Sequence, residues 1–104
     1  MTALSPIVEE LYNATDDAER ARWLLTVPQS VLYRDQVMIR PALLRAGMRT
    51  ALNYLAVEVA ACCAVRRPDG SLRPEITHSR ETARIELLAV AGVAATLEAA
   101  HVPD

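Results

Sequence analysis

The chain has 104 residues, a net charge of −2, and an apolar share of 52% against 4% aromatic, with neither Phe nor Lys. That length suits one modest core, so residues 1–104 read as a single helical domain, and the acidic balance argues against a generic polyanion binder. Ala, Leu and Val must build the core, and Ala buries roughly a third of what Leu buries, so many close contacts are needed.

The charge is uneven. Residues 1–33 carry a net −3 and residues 34–49 a net +3. Blocks of opposite sign usually satisfy each other, so pairing within the chain or between chains is expected. The N-terminus has neither a basic start nor a long apolar core, so no secretory signal is expected.

In chain order, Ser5-Pro6 reads as a cap followed by Pro at the first helical position, opening a short helix with Ile7, Val8, Leu11 and Tyr12 on one face. Asp16 and Glu19 have the spacing of a capping box before Trp23, Leu24 and Leu25. Thr26 and Gln29 repeat that spacing ahead of a third helix carrying Val31, Leu32, Val37, Met38 and Ile39. Pro41 disfavours helical backbone at Arg40, so a break or kink is expected there.

A long helix is then predicted over 41–66. Met48, Leu52, Leu55, Val59 and Cys62 are spaced as a heptad-like seam, and Ala56, Ala60 and Ala64 form a second ridge of small residues. The adjacent Cys62 and Cys63 read as reduced, small buried hydrophobes, which points to the cytoplasm. Pro68-Asp69-Gly70 signals a turn within a structured loop. The last helix is predicted over 79–101, capped by Thr77 or Ser79, with its own small-residue ridge at Ala91, Ala95 and Ala99.

No membrane partner is expected. The apolar run from Ala51 to Val65 is about 15 residues and holds Asn53 and Glu58, short of the roughly 20 that a spanning helix needs.

Three features could carry chemistry. Glu58 lies in the apolar surface of the long helix, in line with Tyr54 and Cys62 at four-residue spacing. Such a carboxylate is ordinarily paired with an Arg of another helix or subunit. If instead it faces a cavity, burial would tune it as a general acid or base. Arg34, Arg40, Arg45 and Arg49 lie in an Arg-bearing segment, 28–49, which could meet an external anion or nucleic acid. The turn at Thr26-Val27-Pro28 faintly suggests a helix-turn-helix there. His78, placed in a loop, and His101, near the C-terminus, complete no triad. No metal or cofactor is expected, since neither the Cys nor the His spacing matches a ligand set and no Gly-rich phosphate loop occurs.

The reading is therefore all-α: four or five helices, the two long Ala-rich ones (about 41–66 and 79–101) packed antiparallel with short N-terminal helices. Apolar surface around both long helices exceeds what the short ones can cover, so a helical-bundle oligomer, a homodimer first, is expected. The expected function is non-catalytic: a small cytoplasmic adaptor, regulator or assembly component. The alternatives are a DNA-binding regulator using 28–49 and a ligand-binding or enzymatic bundle around Glu58.

Overall fold

The computed structural model describes residues 4–92. These are all-helical, with no strand, and form six helices: α1 (Pro6–Tyr12), α2 (Asp17–Thr26), α3 (Gln29–Arg34), α4 (Gln36–Ala46), α5 (Arg49–Cys63) and α6 (Pro74–Ala91). None is long and apolar enough to cross a membrane.

Helix α1 starts at Pro6, where a missing N–H costs nothing. The Ser5 carbonyl accepts from the Val8 and Glu9 amides, but its side chain makes no capping bond. Asp16 does cap α2: its carboxylate accepts from the Glu19 amide at 2.8 Å. The Glu19 side chain in turn accepts from the Thr15 hydroxyl. The second capping signal is not used. Thr26 ends α2 with its hydroxyl donating to the Arg22 carbonyl, Pro28 occupies the cap of α3, and the Gln29 side chain is drawn elsewhere.

The 41–66 helix is corrected by the structure. Pro41 neither breaks nor begins a helix but lies inside α4. Its ring is exposed, and the carbonyl it leaves without a partner belongs to Val37, itself strongly exposed. The interruption falls instead at Gly47, which adopts a left-handed conformation at φ 70°. Its amide donates to the Leu44 carbonyl at 3.0 Å and the Met48 amide to the Leu43 carbonyl at 3.1 Å. With Met48 and Leu43 both buried, this is a Schellman termination with its apolar contact.

Nothing lies within 4 Å of a Cβ built on Gly47, so the constraint there is backbone alone. Gly47→Ala should cost about 1 kcal/mol in urea denaturation. A variant as stable as the wild type would show that the left-handed cap does not govern this junction.

The last helix is displaced as well. Pro74 at its first turn starts it, and Gly92, left-handed at φ 79°, ends it. The start at 79 is thus five residues late, because Pro74, whose missing N–H costs nothing in a first turn, opens the helix. Residues 95, 99 and 101 lie outside the described residues. Between α5 and α6, Asp69 orders the turn by accepting from the Ser71 amide and hydroxyl, and the Arg67 amide donates to the Ser71 carbonyl.

One cluster forms the core, built from Leu11, Leu24, Leu32, Ile39, Leu43, Leu55 and Leu87 with Ala21, Ala51 and Ala83 between them. Helix α6 lies along both α5 and α2, and α5 also contacts α3 and α4. Polar ties pin the small N-terminal helices: the Tyr12 hydroxyl donates to the Met38 carbonyl at 2.6 Å, and the Trp23 indole to the Ile7 carbonyl at 2.9 Å.

The face of α5 that is buried carries Ala51, Tyr54, Leu55, Glu58 and Ala61. Of the expected seam, Met48 and Leu55 are buried, Leu52 and Val59 half-buried and Cys62 exposed, while Ala56 and Ala60 face outward. Cys62 and Cys63 are free thiols and both exposed, not buried hydrophobes. Ala60 lines a groove with Glu75 and Ile76, so the last turn of α5 lies beside the start of α6.

Candidate functional site

Glu58 is the only buried charged residue among those described. Its Oε2 accepts from Arg80 Nε at 2.9 Å and its Oε1 from Arg80 Nη2 at 3.1 Å, a two-pronged pair of the strong kind. Gln29 Nε2 donates to Oε1 at 3.3 Å. One carboxylate therefore joins α3, α5 and α6. The bonds to Glu58 also push the Arg80 guanidinium above its ordinary value.

Arrangements of this kind can hold helices in register but are poorly suited to proton transfer. Both carboxylate oxygens are occupied by donors, and a general acid or base must exchange its proton with a substrate atom in reach. Chemistry at this site falls instead to what surrounds the pair. Tyr54, Glu58, Thr77, Arg80, Glu81 and Arg84 line a half-open groove of about 190 Å³. Arg84 pairs with Glu81 one turn away on the outer wall. Burial, with a smaller contribution from Glu58, raises the Tyr54 hydroxyl above its usual pKa against the opposing pull of Arg80 and Arg84, so it stays protonated. Of the line Tyr54, Glu58 and Cys62, the first two enter the groove. Cys62 stays outside it, near enough to Arg80 to interact electrostatically.

The arginines of 28–49 are not presented on one helix. Arg34 is paired with the neighbouring Asp35, with Nη2 2.6 Å from Oδ2, and this raises its pKa. Arg45 lies over the Tyr12 ring, 5.9 Å from its centre. Gly47 separates Arg45 on α4 from Arg49 on α5, so the two do not share one helix face. Arg40 and Arg49 are exposed and make no ion pair among the described residues. His78 belongs to α6, not to a loop, and lines a groove with Asn53 and Val57.

Arg80 and Arg84 have no part in the sequence analysis, and Gln29 enters it only through its spacing from Thr26. A signal existed for the first. Arg80 stands three residues before Ala83 and seven before Leu87, both buried, so it continues the apolar seam of α6 as a charge. A cation in one seam and Glu58 in another are natural partners once α6 starts at Pro74. The capping spacing of Gln29 gave no sign of its contact with Glu58.

Among the described residues no three His, Cys, Asp or Glu side chains come together as a metal site. The chain matches no protein-family model, and neither a curated protein nor a solved structure shows significant similarity to it.

Proposed function

We propose that the protein is a small non-catalytic helical unit that acts through protein–protein contact, first of all with a second copy of itself. In this reading it is a cytoplasmic adaptor, regulator or assembly component, and α5 and α6 form the antiparallel centre of each protomer, with Glu58 and Arg80 in their shared seam.

The observation that carries this is the outer face of α4. Val37 is 77% exposed and Leu44 58%, and Pro41 is exposed between them. At about 100° per residue, these three fall within an arc of roughly 60°, with Arg40 and Arg45 on its two flanks. Glu9 and Glu10 on the neighbouring α1 are exposed. The described ion pairs join Arg20 to Asp17, Arg34 to Asp35, Arg80 to Glu58 and Arg84 to Glu81. None connects the acidic 1–33 block to the basic 34–49 block, so their complementarity remains for a contact between chains.

Because α1 and α4 are neighbours, a two-fold axis can set α1 of one protomer on α4 of the other and repeat the contact in reverse. Light scattering over a dilution series should then show a dimer that dissociates more readily at high salt. The double variant Val37→Asp with Leu44→Asp should raise the dissociation constant by a factor of roughly ten or more, from two lost apolar contacts. Circular dichroism should be unchanged, since both side chains are exposed. A wild-type chain that stays monomeric at every concentration, or a variant that dimerises as well as the wild type, would remove this reading.

A further inference from the structure

The groove between α5 and α6 holds more hydrogen-bond donors than the protein uses. Tyr54 is 7% exposed, yet its hydroxyl makes no hydrogen bond with any described residue. Among the described residues Ser5 Oγ is the one fully buried side-chain polar atom without a partner, so the Tyr54 hydroxyl is not sealed off and can donate into the groove from a buried ring. Three other donors belong to residues that line the same groove. Arg80 commits Nε and Nη2 to Glu58 and leaves Nη1 unused. Arg84 likewise gives Nε and Nη2 to Glu81 and leaves Nη1. The Thr77 hydroxyl, on the same wall, makes no hydrogen bond among the described residues.

We infer that this groove is a binding site for a small monocarboxylate, whose oxygens would accept from the Tyr54 hydroxyl and the free guanidinium edges of Arg80 and Arg84. The charge of the lining selects the class. Two guanidinium groups are offset by two carboxylates, so the walls are formally neutral, while the edges left on Arg80 and Arg84 are donors only and the Tyr54 and Thr77 hydroxyls can donate beside them. A singly charged planar carboxylate matches guanidinium edges and adds one negative charge. A phosphate dianion would set a second charge against Glu58 and Glu81 with nothing to offset it. The burial that keeps Tyr54 protonated keeps it a donor at neutral pH.

Glu58 is part of this site only as the anchor that fixes Arg80. The ligand is held and no bond in it is made or broken. The site stands apart from the outer face of α4, so it does not depend on dimer formation.

The test is a titration of the full-length protein with sodium benzoate, sodium acetate and inorganic phosphate, followed by amide chemical shifts. Saturable benzoate shifts centred on Tyr54, Thr77, Arg80 and Arg84, with phosphate weaker, are the expected result. Tyr54→Phe removes one oxygen and no existing hydrogen bond, so it should keep the wild-type melting temperature. It should weaken benzoate about tenfold, the effect of one charge-assisted hydrogen bond. Arg84→Gln, which disturbs only an exposed pair, should weaken it comparably and serves as a second probe of the same edge. Shifts that never saturate, unchanged affinity in both variants, or phosphate binding more tightly than benzoate would each overturn the assignment.

Discussion

Arg80→Ala should destabilise the protein by about 2 kcal/mol, roughly twice the cost of Glu58→Ala, although the two residues share one ion pair. The asymmetry comes from burial. The Glu58 side chain is 8% exposed and that of Arg80 37%. Without Glu58, the guanidinium can turn into water with most of its hydration restored. Without Arg80, the carboxylate remains inside with only the Gln29 amide, and a buried charge stripped of its partner costs far more than the intact pair contributes. Cases of full burial reach about 3–5 kcal/mol, and the partial exposure of Arg80 brings the estimate down. In urea denaturation the double variant should be more stable than Arg80→Ala alone, because the orphaned carboxylate is gone. Equal losses for the two single variants would mean that Glu58 reaches water in the absence of Arg80 and that the clamp is a surface pair.

The same clamp shows where sequence reading succeeds and where it stops. Glu58 stood out because a carboxylate interrupts an apolar helix face, a one-dimensional signal. Its partners did not, because Gln29 and Arg80 lie 29 and 22 residues away and belong to other helices. Only three-dimensional packing brings them to one point. Asp16 and Glu19 were legible for the opposite reason, since a cap is made within one turn.

The helix boundaries failed at residues with two meanings. Pro41 and Pro74 each either end a helix or lie harmlessly near its start or exposed flank, and the choice depends on what faces the affected carbonyl. Gly47 was overlooked in a run of apolar spacing, yet Gly followed by an apolar Met is the local mark of a Schellman stop, and it divides 41–66 into α4 and α5. That division also moves Arg45 and Arg49 onto different helices, so an error of local structure carried through to the reading of 28–49 as one Arg-bearing segment. Tyr54 was named as a wall of the site. That its hydroxyl lacks a partner depends on α6 and could not be read from the α5 sequence.

Leu24→Ala is expected to have the largest effect of any single substitution considered, about 3 kcal/mol, within the usual range for a fully buried Leu. Leu24 lies on α2 with no exposed surface, in the cluster that also holds Leu87 of α6, likewise fully buried. Helix α2 runs along α6 and is further tied to its end by Arg22, whose Nη1 donates to the Ala91 carbonyl at 3.3 Å. The surrounding core is rich in Ala, with Ala21 and Ala83 both buried. Small side chains leave little freedom to move into the space a lost isobutyl group vacates, so the cavity persists and the cost stays above simple transfer. Leu25, half-buried on the same helix, supplies the control: Leu25→Ala should cost about half as much or less, because part of its surface already faces water. Urea midpoints at constant m-value measure both. Similar losses at positions 24 and 25 would show that α2 does not direct Leu24 into the shared core, and the packing of α2 on α6 would have to be redrawn.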